Sequence, residues 1–289
     1  MRVHHLNCGS LRTIPLLGAG AGAGAGAGRA EAGPAPELPA VCHCLLIETP
    51  SDGLVLVDTG IGTDDVRRDG RTLGADWLAH ARPALDPEES ALRQIRRLGH
   101  DPRDVRHVLL THLHRDHTGG LPDFPHATVH AHPAELSAAG DPSAPHHART
   151  LASFMPAHRA HGPRLTPART EPGTTWFGFT DLARPEGLAA DGLLFVPLPG
   201  HSAGHSGVAV RRADGRWLLH AGDAYMYHGE LAATPPLPHP VLDPVQQGAQ
   251  VAPDARLDTL GRLRALYREH AGEVDVFSAH DPWEFARPR

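Results

Sequence analysis

The 289-residue sequence predicts an α/β fold on three observations. Short apolar, β-branched runs alternate with segments of helical spacing over most of the chain. Glycine and proline punctuate the joins between them. Several of the runs stop at histidine or aspartate, the placement expected of residues at the strand exits of an α/β scaffold.

Taken in order, Arg2, His4 and His5, followed by Asn7, Cys8 and Gly9, predict a first strand and its turn. Gly18 to Gly28 is a strict Gly-Ala alternation. Prolonged by Gly33-Pro34-Ala35-Pro36, it predicts a flexible surface loop over 18–36 rather than a boundary, because strand-like segments lie on both sides. The whole of 1–289 is therefore expected to form a single domain. Val41 to Glu48 and Gly53 to Asp58 predict paired strands around a Pro50-Ser51-Asp52-Gly53 turn. Pro87 to Leu98 predicts a helix, with Glu88 and Glu89 in its first turn and Gly99 past its end. Val105 to Leu110 is a buried strand, Ala127 to Ala131 another, and Pro133 to Ala139 a short helix. Residues 140–190 are rich in Pro, Gly and His without periodicity, which predicts an irregular insert of the kind that serves as a functional loop. Leu193 to Leu198, Gly207 to Val210, Trp217 to His220 and Val274 to Ser278 predict strands, and Asp254 to His270 an amphipathic helix.

Within six residues, His112, His114, Asp116 and His117 offer three imidazoles and a carboxylate, ligand material for a borderline cation. A tight turn after the preceding strand aims His112 and His114 at one ion while Asp116 and His117 face a second. His201, Asp223 and His280 each follow the end of a later strand, and Asp58 ends an earlier one. Repeated placement at strand exits is an independent argument for one metal site. Cys42-His43-Cys44 has the spacing of a metal clip, but the alternation through Glu48 makes it strand.

Composition narrows the function classes. Forty per cent hydrophobic and 21% charged residues suit a chain with a sizeable core. A net charge of −6, with all 27 basic residues arginine, offers no basic stripe for nucleic acid or an anionic membrane. No apolar run is long enough to span a bilayer. Three clustered cysteines do not make a disulfide framework, so a cytoplasmic protein is expected.

These motifs, in this order from about Val41 to His280, resemble those of the metallo-β-lactamase-fold hydrolases. The resemblance implies a four-layer αββα sandwich with two divalent ions at the edge between its sheets, zinc first, with iron or manganese as alternatives. By position, His112, His114 and His201 would hold one ion, Asp116, His117 and His280 the other, and Asp223 would bridge them. Asp58 would stand behind, orienting a ligand imidazole through its other nitrogen. The HLHRDH segment, PGHSAGHSG and GDA followed by tyrosine look most like N-acyl-homoserine-lactone lactonases, and next like glyoxalase-II-like thioesterases.

The expected chemistry is attack on a carbonyl ester, a lactone first, by water bridged between two metals about 3.5 to 4 Å apart. Asp116 and Asp223 would take part through the metals, leaving Ser202 and Ser206 as turn residues and His205 as structural. Lactonases of this type carry a tyrosine three residues beyond the bridging aspartate. Here that position is Met226, flanked by Tyr225 and Tyr227, either of which would supply the carbonyl donor. The expected partner is a small-molecule ester or lactone, with the protein a monomer or homodimer. A thioesterase is the alternative, ahead of a phosphodiesterase and a metal-binding domain without catalysis.

Overall fold

The computed structural model describes residues 1–17 and 35–287. The Gly-Ala loop expected at 18–36 therefore lies outside the described residues except for its last two.

Two six-stranded sheets form the centre of the fold. The first contains β1 (Arg2–Pro15), β2 (Glu37–Glu48), β3 (Leu54–Val57), β4 (Val105–Leu109), β5 (Thr128–Ala131) and β6 (Arg164–Pro167), in that order. Its first three strands pair antiparallel, and β3 to β6 run parallel. In the chain follow β7 (Arg169–Thr170), a small hairpin of β8 (Thr175–Trp176) and β9 (Phe179–Thr180), then β10 (Ala183–Arg184), β11 (Leu193–Pro197), β12 (Ser206–Arg211), β13 (Trp217–His220) and β14 (Val274–Phe277). The second sheet has the order β14-β13-β12-β11-β10-β7.

Side chains that alternate along these strands divide the core into layers. Leu45, Ile47, Val57 and Leu109 face Phe195, Val208, Leu218 and Phe277 between the sheets. Their neighbours Leu46, Leu56 and Val108 point the other way, onto helical residues such as Ile95. Across the molecule Leu194, Val196 and Leu219 pack on Leu260, Leu263 and Leu266 of the long late helix. The result is a four-layer αββα sandwich.

The helices are α1 (Thr63–Arg67), α2 (Ala75–Ala81), α3 (Ala91–Arg97), α4 (Arg115–Thr118), α5 (Pro133–Gly140), α6 (His147–Ser153), α7 (Pro156–Arg159), α8 (Gly229–Ala232), α9 (Asp243–Ala249), α10 (Pro253–Glu269) and α11 (Pro282–Phe285). None is long and apolar enough to cross a membrane.

Three expectations need correction. The first strand does not turn at Gly9 but runs on to Pro15, with register shifts between Asn7 and Thr13. Pro87 to Leu98 is divided: Pro87–Glu89 is a 3₁₀ turn, and Ser90, extended at ψ 142°, starts α3. Residues 140–190 are not structureless. They contain α6, α7 and β6 to β10, and Trp176 and Phe179 enter the second sheet's outer core. These elements are too short to leave a period in the sequence.

A glycine fixes the join that carries Asp58. Gly60 has φ +63°, and a Cβ there would lie 2.3 Å from the carbonyl oxygen of Cys8. Gly60→Ala is expected to cost at least about 1–2 kcal/mol from the left-handed backbone alone, before any clash. A denaturation midpoint equal to wild type would overturn this.

Candidate metal centre

Every sequence-predicted ligand converges at one edge of the sandwich, beyond the ends of β4, β11, β13 and β14. Ligand atoms of His112, His114, His201 and Asp223 lie within 4.8 Å of one another, as do those of His117, Asp223 and His280. Asp223 is central. Its carboxylate oxygens stand 3.9 Å from His112 Nε2, 3.2 Å from His117 Nε2, 3.3 Å from His201 Nε2 and 3.2 Å from His280 Nε2. Asp116 joins from the open side, 3.7 Å from His280 Nε2 and 4.0 Å from His117 Nε2.

Partners behind the imidazoles decide which nitrogen faces inward. Asp58 ends β3 with φ 53°, a left-handed conformation that turns its carboxylate under the next strand exit. There it accepts from the Thr111 backbone N–H, the Thr111 hydroxyl and His117 Nδ1, each at 2.8 Å. Because the Thr111 hydroxyl donates to Asp58, it accepts from His112 Nδ1 at 3.0 Å. His201 Nδ1 donates to Gln246 Oε1 at 2.7 Å, and His280 Nδ1 to the carbonyl of Val41 at 2.8 Å. Four Nε2 lone pairs are thereby aimed at the centre. His114 presents Nδ1, 3.0 Å from His201 Nε2.

The donor set fits divalent metal ions. His112 Nε2, His117 Nε2 and Asp223 Oδ1 are buried with no hydrogen-bond partner among the described residues, a cost that coordination removes. Burial holds His112, His114 and His201 down, the last two at about 3, so their lone pairs are available at neutral pH. Burial also opposes charge on His117 and His280, but the Asp223 carboxylate, joined by Asp58 at His117 and by Asp116 at His280, raises both. Asp223 is pushed up by burial and held well below the carboxylate range by the surrounding imidazoles, His280 first.

Several neighbours had no signature in the sequence. Gln246 on α9 grips His201 and also donates to the Asp223 carbonyl at 2.7 Å. Glu135 on α5 accepts from Leu113 N at 3.1 Å, Ser202 Oγ at 2.7 Å and Gly204 N at 2.8 Å. One buried carboxylate thus ties the loop of His112 and His114 to the loop of His201. The fit is close, since a Cβ on Gly204 would lie 2.1 Å from Glu135 N. Cys42 lies in β2 as expected, yet its thiol is within 4.8 Å of ligand atoms of Asp116 and His280. His205, expected to be structural, donates to the Leu198 carbonyl and accepts from Asp223 N–H.

The tyrosines are a correction. Tyr225 is buried in the outer core with its hydroxyl on Glu284, at 2.9 and 3.1 Å. Tyr227 accepts from Leu17 N–H at 3.2 Å and packs on His239 and Trp283. Neither phenol lines the cavity over the ligands. Met226, between them on the turn, does so instead. That cavity measures about 540 Å³ and is walled mostly by apolar side chains from β1, α2 and α9.

A family model described as the metallo-beta-lactamase superfamily matches residues 38–266. The chain belongs to that superfamily. It is 36% identical over 286 residues to the Probable metallo-hydrolase Rv2300c of Mycobacterium tuberculosis, covering 98% of this chain and 81% of that protein. It is 30% identical over 205 residues to the N-acyl homoserine lactonase AttM of Agrobacterium fabrum, covering 69% of this chain and 67% of that one. Among solved structures it shares its fold with an N-acyl homoserine lactone hydrolase carrying N-hexanoyl-L-homoserine at its catalytic metal centre. The TM-score is 0.66 at 18% identity, over 99% of this chain and 96% of that one. This metallo-beta-lactamase superfamily member is a metal-dependent hydrolase.

Two outcomes follow from the geometry. Glu135→Ala leaves Leu113 N–H and Gly204 N–H unpaired and is expected to weaken retention of metal at the His112, His114 and His201 donors by about 10- to 100-fold. Equilibrium dialysis with elemental analysis checks this, and wild-type retention would count against the clamp. Burial, and then Asp281, push Glu284 up to about 8 from an ordinary 4.5, so the folded protein binds the extra proton between those values. Stability from this group is present at low pH and lost as pH rises from about 5 through about 8. Glu284→Gln should therefore gain stability relative to wild type over that window. Urea midpoints at pH 5, 6.5 and 8.5 that differ by a constant amount would contradict it.

Proposed function

We propose that this hydrolase is dinuclear and opens a carbonyl ester, a lactone in the first place. The observation that carries the reading is the set of seven donor residues, six of them gathered around Asp223, more than one four-coordinate ion accepts. In this assignment His112, His114 and His201 hold the first ion, Asp116, His117 and His280 the second, and Asp223 bridges. Zinc suits these donors, as do iron and manganese. When bound, the ions supply Lewis acidity at the carbonyl and bring the pKa of water toward about 7.

The protein's own groups do the rest. Asp58 fixes the His117 tautomer and, through Thr111, that of His112. Asp116 is the more open ligand carboxylate, with its side chain 12% exposed against 3% for Asp223, and is the one to pass a proton to the leaving oxygen. The apolar walls exclude water and strengthen electrostatic interactions within. A lactone is supported by the lactonase at 30% identity and by these walls. A thioester with an anionic leaving group is the second reading, favoured by the Arg12 guanidinium along the cavity. Three free thiols agree with a reducing, cytoplasmic setting.

The test is a screen of the metal-analysed protein against lactones, thioesters and phosphodiesters, with about two metal equivalents per chain expected. Lactone turnover at least about 100-fold above the others supports the reading; thioester turnover in that position replaces it. Asp223→Ala should lose activity and metal together, whereas Asp58→Asn should lose about 10- to 100-fold through ligand orientation. Near-normal metal content in Asp223→Ala removes the bridge.

A further inference from the structure

Three guanidinium groups line the cavity over the ligand cluster, and two of them are committed to its walls. Arg115 donates to the carbonyls of Leu73 and Ala152, and Arg149 to that of Gly248 on α9. Arg12 differs. Its Nε is buried without a hydrogen-bond partner among the described residues. It sits on β1 between Ser10 and Thr13, where the pairing with β2 slips register. Such irregularities re-aim side chains, often beside active sites, and here Arg12 lines the same cavity as Asp116 and Asp223.

The surroundings sharpen what Arg12 can bind. Leu11, Met226, Val241 and Leu242 supply apolar wall, and an unpaired guanidinium N–H in such a setting carries a desolvation cost that an acceptor relieves. A planar guanidinium fork matches a carboxylate through two parallel hydrogen bonds. We infer that Arg12 selects substrates bearing a carboxylate remote from the ester that is cleaved, with the apolar wall holding the segment between the two. The inference rests on the ester-hydrolase reading above, which leaves the charge of the substrate open.

The experiment uses a matched pair of lactones with the same apolar arm, ending in a carboxylate in one and a carboxamide in the other. The metal-loaded protein is expected to favour the carboxylate by about 10- to 100-fold in kcat/KM, the range of one charge-assisted contact. In Arg12→Gln that preference should collapse, chiefly through KM, and Arg12→Lys should restore part of it. A wild-type ratio near unity, or a preference that survives in Arg12→Gln, overturns the inference. Calorimetric titration with the two corresponding open-chain amides, which resist hydrolysis, provides a second measure. If neither lactone is turned over, the lactone reading fails by itself, and the titration still decides Arg12: tighter carboxylate binding lost in Arg12→Gln supports it, and equal binding of both amides overturns it.

Discussion

The Asp58 carboxylate accepts from Thr111 N–H, the Thr111 hydroxyl and His117 Nδ1, and most of the site's geometry depends on those contacts. They join the end of β3 to the exit of β4, the strands that carry the first loop of ligands. They also settle proton positions, directly at His117 and through the Thr111 hydroxyl at His112. A carboxylate reaches this place because its own backbone is left-handed and because Gly60 lets the chain pass against Cys8. Backbone strain of that kind persists where the surrounding structure over-determines it and where function makes use of it.

The same logic recurs around the rest of the cluster with different partners. Gln246 serves His201, and the Val41 carbonyl serves His280. His205 holds the backbone of Asp223. His112, His117, His201 and His280 are each held through Nδ1 by a group fixed in the fold, so their Nε2 atoms face the centre before any ion arrives. The arrangement is costly in itself: burial opposes charge on three imidazoles, neighbouring carboxylates raise two others against it, and His112 Nε2, His117 Nε2 and Asp223 Oδ1 have no hydrogen-bond partner among the described residues. Divalent charge reverses that balance. Folding and metal binding are therefore linked at this edge of the sandwich.

The sequence carried the strand exits and the ligand set because both leave local marks, a short apolar run followed by His or Asp. It did not carry the supports. Glu135 and Gln246 come from α5 and α9, and no motif spacing joins them to the ligands they serve. The tyrosines failed for a related reason. Sequence places Tyr225, Met226 and Tyr227 on one turn, but their direction depends on Glu284 accepting one phenol and the Trp283 pocket receiving the other. The stretch 140–190 was illegible as structure because elements of two to seven residues show no period.

Chemistry and selection are built from different parts of the fold. Ligands stand at the ends of buried strands, where the inter-sheet core of Ile47, Val57, Phe195 and Phe277 limits movement. The cavity walls come from α2, α9 and the end of β1. The two helices have only seven residues each, a length that is marginal without tertiary contacts. Apart from Gln246, which grips His201 and Asp223 from α9, changes in those walls leave the strand-end donors in place, so the substrate can vary while the donor cluster is kept. Met226 at the turn after Asp223 illustrates the division. The turn contributes an apolar surface and no hydrogen-bond donor from that side chain, and the Arg12 guanidinium lines the same cavity.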